Sequence, residues 1–160
     1  MSDPSSRRNF LRGKVATHAA QPRPPWALAE ADFIAACTRC GDCARACPTR
    51  IIRPGDGGYP TVDFALGECT FCGECVAHCQ PAALRRHDET PPWSLRATIG
   101  ERCLARQFIE CRVCGEQCEA GAIRFRPQLG GIAQAELDAA RCTGCGACVT
   151  PCPVGAIRVA

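Results

Sequence analysis

The chain has 160 residues, a formal net charge of +3, 6% aromatic residues and 16 cysteines, one residue in ten. So few aromatics are thin material for an ordinary hydrophobic core, and cysteine this dense means either a disulfide scaffold or metal clusters. The basic residues are scattered without a basic face or interleaved aromatics, which argues against nucleic acid, and no apolar run approaches the ~18 residues of a membrane-spanning helix.

Residues 1–26 read as a flexible N-terminal tail, in which "SRRNFLR" at 6–12 places Arg7 and Arg8 close to a twin-arginine export pattern. A secretory signal also needs an apolar stretch of about 7–15 residues after its charged segment. Residues 13–26, "GKVATHAAQPRPPW", offer Lys14, His18, Gln21, Arg23 and three prolines instead, and such a segment does not insert into a bilayer as a helix. The expectation is a chain that stays in the cytoplasm, its arginine pair a solvated basic cluster.

Two modules follow, at 27–88 and 89–160. The first opens with Cys37, Cys40, Cys43 and Cys47 in "CTRCGDCARACP" and ends with Cys69, Cys72, Cys75 and Cys79 in "CTFCGECVAHCQP". Between them "TRIIRPGDGGYPTVDFA" sets two apolar segments around a Gly/Pro-rich turn and predicts a hairpin. The second module carries Cys103, Cys111, Cys114 and Cys118, a hairpin candidate "GAIRFRPQLGGIAQAELD", then Cys142, Cys145, Cys148 and Cys152 in "CTGCGACVTPCP" and a closing strand "GAIRVA". Cys40 and Cys72 lie 32 residues apart, Cys114 and Cys148 lie 34 apart, and the halves are offset by 71 (Cys40 to Cys111) and 73 (Cys72 to Cys145). With a short helix expected after each cysteine loop, the fold class is α+β: tandem bacterial-type two-cluster 4Fe–4S ferredoxin-like modules behind a flexible tail.

Three of the four groups have the C-x2-C-x2-C-x3-C run of bacterial two-cluster ferredoxins. Three thiolates on a tight loop can converge on one cubane, helped by the glycines at 41, 73, 144 and 146. The fourth cysteine points away and serves the cluster of the neighbouring motif, and the proline beside it stops a regular helix. Zinc takes four ligands in all, usually as paired C-x2-C knuckles, so three cysteines in a row at this spacing would leave one idle. A disulfide scaffold has no natural pairing for so regular a ladder. Four 4Fe–4S clusters are therefore expected, all sixteen cysteines serving as ligands. Counted with sixteen thiolates and four oxidised cores, the net charge moves from +3 to about −5.

The third group departs from the run, because the first-ligand position, 108, is Phe and Cys103 lies five residues too early. If Cys103 is a bystander, three regular 4Fe–4S clusters remain and the third group holds at most a 3Fe–4S site. A second repeat argues otherwise. Both tryptophans follow a double proline, Trp26 eleven residues before Cys37 and Trp93 ten before Cys103, and on that alignment Cys103 is the first ligand with "LARQF" inserted after it.

His18, His78 and His87 read as surface residues, His78 beside Cys79 included, since sulfur already fills every ligand position. No Ser-His-Asp or Cys-His arrangement is legible, and "GDGG" at 55–58 lacks the lysine and helix of a phosphate loop. Centres with four thiolates each leave no open iron for a substrate, so catalysis is not expected.

Taken with "FLRG", "RPPW", "GGYPTVDF" and "CLARQFIECRVCGEQCE", these motifs make nearly the whole chain resemble the NapF family, ferredoxin-type accessory proteins of periplasmic nitrate reductase systems. The resemblance implies a cytoplasmic iron–sulfur protein whose partner is the precursor of the molybdenum-containing nitrate reductase catalytic subunit, assisted before export by electron or cluster delivery. The family's usual three ferredoxin-type sets leave the third group open on that side too. Two other readings stand beside it: a general electron-transfer polyferredoxin subunit of a quinol or molybdoenzyme complex, and an exported ferredoxin.

Overall fold

The computed structural model describes residues 22–86 and 90–160; Arg7, Arg8, His18 and His87 lie outside the described residues. The chain runs through short elements: α1 (Glu30–Ala36), α2 (Asp42–Ala46), β1 (Ile52–Pro54), β2 (Pro60–Val62), α3 (Glu74–Ala77), β3 (Ala97–Ile99), α4 (Val113–Glu116), β4 (Ile123–Gln128), β5 (Gly131–Leu137) and β6 (Ile157–Val159). This is the small mixed helix-and-strand architecture expected of a ferredoxin-like α+β protein. Among the described residues no helix is long and apolar enough to cross a membrane.

Both predicted hairpins form around their Gly/Pro turns. β1 and β2 pair antiparallel from Ile52–Val62 to Pro54–Pro60, which turns Ile52 and Val62 into a core with Phe33, Ile51 and Phe64. β4 and β5 pair from Ile123–Leu137 to Gln128–Gly131, and their register slips between Arg126 and Gln128. Pro127 sits at that slip, with no N–H to give the ladder. The closing strand β6 pairs antiparallel with β3, Ile99 facing Ile157 and Ala97 facing Val159. β3 went unread in the sequence because "RATIG" is short and only half apolar.

Helices follow three of the four cysteine loops, as α2, α3 and α4. The fourth loop makes turns only, with Val149 N–H to Gly146 O at 2.9 Å and Cys152 N–H to Val149 O at 3.2 Å. Pro151 accounts for the difference, since proline lacks the donor and drives Thr150 away from helical dihedrals.

The two tryptophan segments are not equivalent in space. Trp26 is buried, its flanks joined to the end of the first module by an Ala27–Leu84 bridge. Trp93 instead stands between the halves, edge-on to Phe64 at 5.8 Å and Phe71 at 5.6 Å. Helix α1, which separates Trp26 from Cys37, has no counterpart before Cys103. The spacing match that tied Cys103 to Cys37 is thus a coincidence of length.

One repeat runs through all four motifs. The third residue after each last cysteine, Arg50, Ala82, Gly121 and Gly155, has φ of +56°, +55°, +57° and +55°. Its N–H returns to the carbonyl of that cysteine, as in Gly121 to Cys118 at 2.8 Å and Arg50 to Cys47 at 3.1 Å. Left-handed dihedrals cost an L residue about 1–2 kcal/mol and glycine almost nothing. Arg50→Gly is therefore expected to stabilise the chain by about 1 kcal/mol and Gly155→Ala to destabilise it by about as much. Anaerobic thermal unfolding of the iron-loaded protein checks both, and shifts of the same sign would remove the strain account.

Candidate metal centres

The cysteine loops and the crossing fourth cysteines meet at four cavities. Cys37, Cys40 and Cys43 line the first together with Cys79, and Cys69, Cys72 and Cys75 line the second together with Cys47. In the other half Cys142, Cys145 and Cys148 line a third with Cys118, and Cys103, Cys111 and Cys114 line a fourth with Cys152. The first is the largest of the four. Each cavity takes three cysteines from one motif and one from its neighbour, so the two motifs of each half interlock.

This donor set suits a cluster and not a single ion. Tetrahedral zinc with Zn–S near 2.3 Å brings its sulfurs within about 3.8 Å of one another, and among the described residues no three His, Cys, Asp or Glu side chains are grouped to hold one metal ion. None of the sixteen cysteines is in a disulfide. His78 stays outside the sets, its Nδ1 3.0 Å from the Glu74 carbonyl.

The third cysteine of every motif is buried, Cys43, Cys75, Cys114 and Cys148 being only 6–8% exposed, and Cys103 is buried beside Cys114. Burial, reinforced by the other sulfurs of the cavity, pushes the thiols of Cys75 and Cys148 up to about 12 and those of Cys43 and Cys114 up to about 11. Such thiols ionise at neutral pH only when a metal takes the proton's place.

Backbone N–H groups point at the crossing sulfurs. Ala122 N–H reaches Cys118 Sγ at 3.3 Å and Ala156 N–H reaches Cys152 Sγ at 3.2 Å, each from the residue just past the left-handed turn. Strand β3 adds Ala97 N–H to Cys142 Sγ at 3.4 Å. At Cys47 burial raises the pKa, but the Thr49 hydroxyl 3.5 Å away and the N–H groups of Ile51, Ile52 and Thr49 outweigh that and lower it. Thr49 was not singled out in the sequence. A Thr two residues past a cysteine gives no signal until the turn is known.

Cys103 reaches its cavity by strand pairing. Its N–H bonds to Gly100 O at 3.1 Å, and Gly100 N–H bonds to Ala156 O at 2.8 Å. The Ala156 peptide thus ties the chain before Cys103 to the sulfur of Cys152. Phe108, standing where the regular run would put a ligand, is 71% exposed and lies outside the cysteine set.

Two stretches of the chain, residues 36–84 and 109–156, match the 4Fe–4S dicluster domain. Fold and sites define a ferredoxin-type iron–sulfur protein built from two such domains in tandem. The chain is 46% identical over 153 residues to "Ferredoxin-type protein NapF" of Escherichia coli, covering 96% of this chain and 93% of that protein. It is 48% identical over 163 residues to the Haemophilus influenzae protein of that name, with 96% and 92% covered. "Methylamine utilization ferredoxin-type protein MauM" of Methylorubrum extorquens is 35% identical over 156 residues, 86% of this chain and 71% of that one. The chain belongs to the NapF family of ferredoxin-type proteins. Cys103 falls outside the second matched stretch, and only the three-dimensional arrangement brings it to Cys111, Cys114 and Cys152.

Hydrogen bonds to cluster sulfurs favour the reduced, more negative state and so raise the potential. Thr49→Val is expected to move one reduction step to a more negative potential at unchanged iron content. An EPR-monitored redox titration reads it, and an unmoved set of midpoints would show that the hydroxyl has no influence.

Proposed function

We propose that the sixteen cysteines hold four 4Fe–4S clusters, one in each cavity, and that the loaded protein serves the maturation of a molybdenum-containing periplasmic nitrate reductase catalytic subunit. The observation that carries the first part is the sorting of sixteen thiols into four sets of four, with no cysteine left over. When bound, such clusters supply one-electron transfer. The chain's own work is to hold each set of thiolates, to donate N–H groups to the sulfurs and to exclude water from the buried third cysteine. Four-thiolate sites leave no coordination position for a substrate, which supports a carrier or accessory role over catalysis.

Membership of the NapF family supports the second part. In this reading the protein acts in the cytoplasm, meeting the precursor subunit before export and delivering electrons or cluster components to it. The four sites within one chain favour a second reading, a general electron-transfer polyferredoxin subunit of a quinol or molybdoenzyme complex.

Anaerobically reconstituted protein is expected to bind about 16 iron and as many sulfides, four of each per cubane. Saturation near 12 iron would leave the Cys103 group without a cluster. Cys103→Ser should lower the iron content or introduce a 3Fe–4S EPR signal, whereas no change in either assigns Cys103 to the bystanders.

A maturation factor must distinguish the two states of its client, since equal affinity for both shifts neither. In a pulldown the loaded protein is expected to retain the cofactor-free precursor over the mature subunit, with the full-length chain fractionating to the cytoplasm. Equal retention of both forms favours the electron-transfer subunit, and a processed periplasmic product rules out the cytoplasmic reading.

A further inference from the structure

The two halves of the chain meet at the second and third cavities. Cys69 of the second set donates its backbone N–H to the carbonyl of Cys145 of the third, at 2.8 Å. Around this bond the segments are clamped. Thr150 Oγ1 donates to Phe64 O at 3.0 Å, and Trp93, packed edge-on to Phe64 and Phe71, donates its indole N–H to Thr143 O at 2.9 Å. Two glycines make the approach possible. A Cβ on Gly146 would lie 2.0 Å from Phe64 Cδ1, and one on Gly144 would lie 2.4 Å from Leu95 O. Gly146 is demanded by contact across the halves and Gly144 by contact with Leu95 of its own half, each also by its φ, +85° and +72° respectively.

Within each half the sites are already linked by the exchanged cysteines: α2 joins Cys43 of the first set to Cys47 of the second, and α4 and its C-terminal turn join Cys114 of the fourth to Cys118 of the third. The order of sites in space is therefore first, second, third, fourth, and the only link that the cysteine exchange leaves unmade is the one that Cys69 and Cys145 supply. We infer that this junction makes the two halves a single electron conductor, with Cys69 and Cys145 carrying the crossing and Phe64, Trp93, Gly144, Gly146 and Thr150 acting as positioning residues. The inference rests on the reading that the four cysteine sets hold 4Fe–4S clusters.

The step is a one-electron exchange. The centre held by Cys69 loses an electron as the centre held by Cys145 gains one, or the reverse, with no bond made or broken and no proton moved. Electrons enter from an external low-potential one-electron donor, dithionite in the test, and leave to an external one-electron acceptor. The route is short: from Cys69 Sγ along its side chain to the amide, over the hydrogen bond to the Cys145 carbonyl, and down that side chain to Sγ. Donor and acceptor then belong at opposite ends, at the set containing Cys40 and the set containing Cys103.

Two measurements test this. In the full-length chain carrying Cys37→Ala, Cys40→Ala, Cys103→Ala and Cys111→Ala, only the second and third sites keep four ligands, and about 8 iron per chain is expected. Its dithionite-reduced EPR spectrum should be split by magnetic coupling between the two remaining centres, and adding Phe64→Ala should weaken the splitting without loss of iron. Two superposed unsplit signals at about 8 iron would overturn the junction and leave the cluster assignment standing; an iron content far from 8 would overturn the assignment and the inference with it. The second measurement needs no ligand variant. Hydrogen–deuterium exchange on the native loaded protein should find the Cys69 amide protected as long as the amides of the β4–β5 ladder, and exchange at the rate of exposed backbone would refute the contact.

Discussion

The constraint on which the rest depends is the crossing of each fourth cysteine into its neighbour's set. A motif alone supplies three thiols to its own cavity and sends the fourth away, so neither cavity of a half is complete until both motifs are in place. That makes each half a closed unit despite strands of three to seven residues and helices of four to seven, lengths that have little stability of their own. Cysteines also lie inside the hydrophobic clusters, Cys43 and Cys75 with Phe33, Ile52 and Val62, and Cys114 and Cys148 with Ala97, Ile123 and Ile157. The metal ligands are core residues here. Folding and loading are accordingly one process, because the same buried thiols that complete the core resist ionisation without metal.

The left-handed turn after each crossing cysteine links that constraint to electrostatics. By reversing the chain three residues past the sulfur, it aims the next N–H back at Sγ, as at Ala122 and Ala156. The two halves solve the same backbone problem differently. Glycine occupies the turn in the second half, whereas the first half holds Arg50 and Ala82 there and bears the strain, which persists because the fixed positions of Cys47 and Cys79 over-determine the turn.

How much of this was legible in the sequence follows from which interactions are local. The ligand spacing and both hairpins are written in strings of fewer than twenty residues, and the pairing of motifs within each half in repeat offsets of 32 and 34 residues. The features that were missed join distant segments. β3 is defined only by its pairing with β6, some sixty residues on. Thr49 matters only once the turn at Arg50 sets it beside Cys47. The tryptophan repeat pointed to Cys103, which does join Cys111, Cys114 and Cys152, but without structural equivalence behind it: sequence spacing cannot tell a buried module start from an inter-module wedge, and Trp93 takes the second role while Trp26 takes the first. Gly144 and Gly146 were read as loop glycines for their dihedrals, with no sequence sign that Leu95 and Phe64 would press against them.

The displaced Cys103 brings these threads together. In the other three sets the first and second cysteines are three residues apart, so the loop itself fixes one relative to the other. Cys103 is eight residues from Cys111, and a loop of that length, carrying an exposed Phe108, sets no such distance. Its position comes from the other side: β3 is held by β6, β6 follows Cys152, and Cys152 belongs to the same set. A tertiary contact has replaced a local one. The fourth site thus depends on the C-terminal strand for the position of its first ligand, while the same β3–β6 pair reaches the third site through Ala97 N–H to Cys142 Sγ.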